Sequence, residues 1–205
     1  MGGAVPVIET LASLDSPVRE VRGIINCTCG VVLEARGHGK TLQEAVAYAQ
    51  KEGFCEENPE RDLSGRDSAD KLAILIQAAF HDWQDPEAIA TSGIDTIDGD
   101  PSGYHLIGRA TRSAAGIIAQ VRPEKPPPSS FLGAARGAEN RVEIELETGE
   151  VIRLRGQGAG RWPTAVAVLG DLHEIDRLQE MEQHQGESSS LGDMYFGHQA
   201  YSEGF

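Results

Sequence analysis

Two stretches of the chain place apolar residues at helical spacing, and one alternates them with a period of two. Thr41-Leu42-Gln43-Glu44 has the form of a capping box, Leu42, Ala45, Val46 and Ala49 recur on one face behind it, and Gly53 stops the run. A second helix is predicted from about Asp67 to Trp83, where Leu72, Ile76, Ala79 and Phe80 form an apolar stripe. Arg141 to Glu147 alternates through Val142, Ile144 and Leu146, and Thr148-Gly149 joins it to a second strand, Val151 to Arg155, which predicts a β-hairpin. Weaker signals give a short helix behind Pro6, a strand from Val18 to Ile25, a helix from Thr28 to Arg36 ended by Gly37 and Gly39, and an extended run from Ser113 to Val121. Phe54 to Arg66 reads as a loop, Asp85 to Arg112 as short helical pieces and turns, Pro123 to Ser130 as a Pro-rich connector, and Pro163 to about Gln183 as a final helix. No internal repeat is visible. Strands in pairs with helices grouped between them predict an α+β fold, a mixed sheet covered by helices on one face.

Composition adds limits. A chain of 205 residues with 40% hydrophobic residues can bury one core, and its apolar runs are too short for a membrane span. The net charge of −14 argues against nucleic acid as a partner, because no excess of Lys and Arg is available to displace counterions. Eight acids and one base between Asp171 and Phe205 carry half of that charge, and the Ser/Gly-rich end predicts one domain over residues 1–185 followed by an acidic, disordered tail over 186–205. Three cysteines form no disulfide framework and no basic-then-apolar leader follows Met1, so a cytoplasmic location is expected.

Two segments are candidates for chemistry. Gly156-Gln157-Gly158-Ala159-Gly160 between a strand and a helix is either a phosphate cradle or a tight turn, and its spacing is not that of a complete dinucleotide fingerprint. Asp67 and Lys71, four apart at the start of a helix, are either an ordinary surface pair or an ammonium positioned by a carboxylate to pass a proton. The cysteines and the six histidines show no metal-ligand spacing, and no metal is expected.

In order along the chain, GGAVPVI, GIINCTCGVVL, EGFCEENPERDLSGRDSADKLAIL and ENRVEIELETGEVIRLRGQGAGRWPTAVAVLGDL resemble the catalytic domain of homoserine dehydrogenase, from Gly2 to about Arg177. The resemblance implies interconversion of L-homoserine and L-aspartate 4-semialdehyde with NADP or NAD, in a homodimer, with the nucleotide-binding domain supplied outside these residues or on a separate subunit. It gives Lys71 the role of proton donor and acceptor at the substrate oxygen, and Asp67 that of the carboxylate at the reacting end. Glu56 is implied for the substrate ammonium, with Asp62 and Thr28 also on the substrate side, and Gly158 and Gly160 near the dinucleotide. Cys27 stands where the family usually has Gly, Phe54 where it has a substrate-site Tyr, and Asn58 and Arg61 where it has acids. These departures leave two alternatives: a dehydrogenase of another amino-acid-derived alcohol, or a binding or dimerisation module without turnover.

Overall fold

The computed structural model describes residues 5–159 and, beyond them, positions 165–166, 168–170, 172–173, 175–177 and 179. The chain divides into two compact units, Met1–Thr164 and Ala165–Phe205. The described positions of the second unit are helical, as the sequence predicts for that stretch. The predicted tail over 186–205 lies outside the described residues.

The described residues of the first unit form a six-stranded sheet and five α-helices. In chain order these are α1 (Val7–Ala12), β1 (Val18–Ile24), α2 (Cys27–Gly37), α3 (Leu42–Lys51), α4 (Glu60–Leu63), α5 (Arg66–Phe80), β2 (Ala90–Thr91), β3 (His105–Ser113), β4 (Gly116–Glu124), β5 (Glu139–Leu146) and β6 (Val151–Gln157). The sheet order is β2-β4-β3-β1-β5-β6. Every neighbouring pair is antiparallel except the two-residue β2 beside β4, which makes the sheet mixed.

Both strong helix predictions hold. The capping box of α3 closes from both sides, with Glu44 N–H donating to Thr41 Oγ1 at 3.2 Å and Thr41 N–H to Glu44 Oε2 at 2.9 Å. Helix α5 stops three residues earlier than expected, at His81, the one described non-glycine residue with a positive φ. Two expectations need correction. The loop from Phe54 to Arg66 contains the single-turn α4, and the stretch assigned to short helical pieces contains β3, a full central strand. Its helix-facing positions include Gly108 and Ala110, and its other face carries Arg109 and Thr111, so the apolar alternation that marks a strand is absent.

Helices α2 and α5 pack on one face of the sheet, α5 over β1, β3 and β4 and α2 over β3 and β5. Val21, Leu106, Ala110, Val121, Val142, Ile144 and Leu146 meet Val32, Leu72, Leu75 and Ile76 there, all buried. The connection from β4 to β5 has to pass two intervening strands, and it does so over the opposite face. Phe131, Leu132 and Ala135 cover Ile24 of β1 and Ile107 of β3 in a second, smaller cluster.

The rest of that opposite face is a ladder of ion pairs. Glu20 accepts from Arg109 Nη1 at 2.8 Å and from the Thr111 hydroxyl at 2.9 Å. Glu143 accepts from Arg22 Nε at 2.8 Å and from Arg153 Nε at 2.9 Å, joining β1, β5 and β6. Its side chain is 7% exposed. Burial alone would raise its carboxyl, but the two guanidinium groups outweigh burial and hold it below the usual glutamate range.

A carboxyl lowered in the folded state contributes stability above its unfolded value, and that contribution is lost as the pH falls through the folded value. Glu143→Gln is therefore expected to cost about 1–2 kcal/mol at neutral pH, since its guanidinium partners stay partly hydrated. Urea denaturation of both proteins should show the difference shrinking once the pH drops below the ordinary carboxylate range near ~4.3. A pH-independent difference would refute the assignment.

Candidate active site

Strand β1 ends at Ile24 on the sheet, and two residues later Asn26 caps α2. Asn26 is 2% exposed, so each of its polar atoms needs a partner. Its Oδ1 accepts from Cys29 N–H at 2.9 Å, the usual capping bond. Its Nδ2 donates to Asp62 Oδ1 at 2.6 Å and to Asp67 Oδ2 at 2.8 Å. One amide thus ties the start of α2 to α4 and to the first turn of α5. Asn26 carries no mark in the sequence beyond its place as a capping residue type just ahead of α2.

Asp67 enters α5 through Gly65, whose φ of +83° puts the chain in the left-handed region immediately before the helix. A Cβ at Gly65 would also press on Thr91 Cγ2 at 3.0 Å and Val121 Cγ1 at 3.3 Å. Asp67 therefore starts the helix with a fixed entry angle, and its carboxylate lies where the helix dipole favours negative charge. Lys71 Nζ donates to Asp67 Oδ2 at 2.6 Å. Both side chains are about 30% exposed, Lys71 at 28% and Asp67 at 30%. The pair is neither a fully solvated surface pair nor a sealed one. The ammonium keeps donors for an incoming oxygen while Asn26 fixes its carboxylate partner.

The other predicted residues take distinct positions. Thr28 is buried, and its Oγ1 donates to Phe54 O at 2.8 Å, so its hydroxyl is used in tying α2 to the segment after α3. Asp62 joins the cluster through Asn26, and its carbonyl accepts from Cys29 Sγ at 3.1 Å. Glu56 lies on the exposed loop that follows, whose carbonyls at 56 and 57 are held by Gln50 Nε2 at 3.1 Å each. The Glu56 carboxylate makes no hydrogen bond or ion pair among the described residues, and none links it to Asp67 or Lys71. Arg61, which replaces an acid, points its guanidinium at Asp70.

Gly158 follows β6, and its N–H donates to Ala138 O at 2.8 Å. A Cβ there would stand 2.6 Å from Asn140 Oδ1. The Asn140 side chain thus fills the space beside Gly158, and the Gly158 N–H is already used within the protein. Gly160 lies outside the described residues. Among the described residues no group of three or more His, Cys, Asp or Glu side chains is arranged to hold a metal ion, and no helix is long and apolar enough to cross a membrane. A cavity of about 270 Å³ lies elsewhere, against Glu34, His38, His105 and Arg136, and shares no residue with the Asn26 cluster.

Comparison with known proteins bears on this arrangement. Residues 6–173 match the homoserine dehydrogenase family model. The chain is 33% identical over 191 residues to homoserine dehydrogenase of Lactococcus lactis, covering 88% of this chain and 45% of that protein. It is 35% identical over 188 residues to homoserine dehydrogenase of Mycobacterium tuberculosis, covering 84% and 43%. Its fold is similar to the crystal structure of a homoserine dehydrogenase from Thiobacillus denitrificans, with a TM-score of 0.81 and 31% identity over 89% of this chain and 45% of the other. The chain spans a little under half the length of these relatives. With a family match that runs through all of α1 to β6 and includes the Asn26, Asp62, Asp67 and Lys71 cluster, the chain belongs to the homoserine dehydrogenase family.

Proposed function

We propose that this chain is the substrate-binding and proton-transferring part of an enzyme interconverting L-homoserine and L-aspartate 4-semialdehyde. The observation that carries the reading is the 2.6 Å contact of Lys71 Nζ with Asp67 Oδ2, with Asp67 itself held by a buried amide. Carbonyl reduction requires a proton on the oxygen as a hydride reaches the carbon, and an ammonium with donors to spare meets the first requirement. NAD(P) supplies the hydride in this reaction, and no described residue is assigned to hold it.

In the reducing direction Lys71 donates a hydrogen bond to the aldehyde oxygen, which draws electron density from the carbonyl carbon, and then gives up the proton as the alkoxide forms. Lys71 is re-protonated from solvent through its exposed side. In the oxidising direction the same nitrogen, neutral, takes the hydroxyl proton. Asp67 limits the ammonium to one approach and balances its charge, which is the pre-organisation that separates a site from a mobile surface lysine. Glu56 is free to meet the substrate ammonium from the loop tethered by Gln50. Asp62 adds negative charge on the same side. The reading places the chain in a cytoplasmic setting, as a homodimer, in the synthesis of threonine and methionine from aspartate.

The test is a reconstitution. Mixed with, or fused to, the nucleotide-binding domain of a relative, the chain should oxidise NADPH or NADH in the presence of L-aspartate 4-semialdehyde. Lys71→Ala should reduce kcat by about 10²-fold or more with a smaller effect on KM. No semialdehyde-dependent oxidation, with the same background in Lys71→Ala, would overturn the proposal in favour of a module without turnover, and undiminished turnover in Lys71→Ala would overturn the role given to Lys71.

Asn26 acts through Asp67 and is a positioning residue. Asn26→Ala removes a helix cap and two carboxylate donors at a buried position, and a loss of about 2–3 kcal/mol in urea denaturation is expected. Asn26→Asp restores the cap acceptor but sets a third carboxylate against Asp62 and Asp67. In the reconstituted enzyme it should lower kcat and change the pH profile, whereas a purely structural role for Asn26 would leave the profile of the folded fraction unmoved.

A further inference from the structure

Two of the three cysteines stand at the edge of the Asn26 cluster. Cys27 is the first residue of α2, directly after Asn26, and Cys55 follows Phe54, whose carbonyl receives the Thr28 hydroxyl at 2.8 Å. That bond clamps the first turn of α2 to the segment after α3 and sets the flanking residues, Cys27 and Cys55, at the same junction. Both are half-buried and both pack on the rim of the main core. Cys29, two residues along α2, is 1% exposed and turned inward, with its thiol donating to Asp62 O. The helix separates it from Cys27 by about 200° around the axis. The loop carrying Cys55 has no regular structure between Gly53 and Pro59, so it can move toward α2 without breaking a helix.

We propose that Cys27 and Cys55 are a dithiol modification site that closes to a disulfide by exchange with a low-molecular-weight disulfide of the glutathione type. In the first step one cysteine thiolate attacks the small disulfide, forming a mixed disulfide and releasing one thiol. In the second the other cysteine attacks the mixed disulfide, forming the Cys27–Cys55 bond and releasing the second thiol. Two protein S–H bonds and one small-molecule S–S bond are lost; one protein S–S bond and two small-molecule S–H bonds are gained. The two electrons pass to the small disulfide, so no other oxidant is needed.

The surroundings set the pace of the exchange. Burial raises the Cys27 thiol, with Lys71 opposing and Asp62 adding to the rise. Burial, Asp62 and Glu56 raise Cys55. Both thiols are therefore held protonated at neutral pH, so the exchange is slow there and quickens as the pH rises. On the proposed function, the bridge would cross the approach to Lys71 and draw the Glu56 loop against α2, so the oxidised protein would not take an amino-acid substrate.

The first part of the test needs no activity and so stands apart from the functional reading. The 205-residue chain, fully reduced, is incubated with oxidised glutathione and examined by intact mass and by mass spectrometry of tryptic peptides. The expected product has lost two hydrogen atoms, carries no glutathione, and yields peptide 23–36 joined to peptide 52–61. The link should persist in Cys29→Ala, while Cys55→Ser should stop at a lasting glutathione adduct on Cys27. A lasting adduct on the wild-type chain, a link through Cys29, or thiols that remain free would each overturn the proposal. In the reconstituted enzyme, oxidation should abolish turnover and dithiothreitol restore it in the wild type but not alter Cys27→Ser. A linked peptide with unchanged turnover would overturn the functional consequence alone.

Discussion

The arrangement around Lys71 rests on one buried side-chain amide. Asn26 cannot face water, so its oxygen and both of its N–H bonds have to be matched within the protein, and the matches come from three separate helices. The oxygen ends α2's need for a cap. The two N–H bonds hold two carboxylates that would otherwise repel one another at close range. The amide is well suited to this because it offers an acceptor and two donors in one plane without adding charge. A serine or aspartate would cap α2 equally well but would not give both Asp62 and Asp67 a donor.

That amide is useful only because the sheet delivers it to a fixed place. Strand β1 lies between β3 and β5 and is paired on both sides, so its end is held by hydrogen bonds from two neighbours. On the helix side α5 is seated on β1, β3 and β4 by Leu72 and Ile76, which fixes Asp67 and Lys71 one turn away. On the opposite side, charged residues that would be costly singly are arranged as a ladder in which Glu20 and Glu143 each join more than one arginine. Acids and bases alternate across strands there, so a sheet of modest hydrophobicity can still hold its register.

The sequence carried the elements whose evidence is local and missed those settled by distant contacts. The α3 capping box and the β5–β6 hairpin are each complete within one short stretch of chain, and both appear as expected. Strand β3 has no local signature because two of its inward positions, Gly108 and Ala110, are small where α5 packs closely, and its outward arginine finds its partner in Glu20, 89 residues away in sequence. The same distinction applies to the site. Asp67 and Lys71 share a helix, so their pairing was legible as a spacing, though not its significance. The Asn26 contacts to Asp62 and Asp67 span 36 and 41 residues and cannot be read from spacing. Thr28 was placed near the substrate by resemblance, yet its hydroxyl serves the junction with Phe54.

Local charge narrows what such a site can receive. Lys71 is engaged by Asp67, and the two neighbouring cations in the sequence are engaged as well, Arg61 by Asp70 and Arg66 by Glu87. Replacing an acid by Arg61 therefore does not deliver a free positive charge to the cluster. Asp62 and Glu56 are left with no protein cation against them among the described residues, so the site is short of positive charge where a substrate would enter. A bare dicarboxylate would meet repulsion there, whereas a molecule carrying an ammonium on the second carbon from its reacting carbonyl would bring a positive charge of its own. On the proposed function, selection of an amino-acid substrate rests on what the protein leaves uncompensated, and the position of Lys71 decides which end of that substrate reacts.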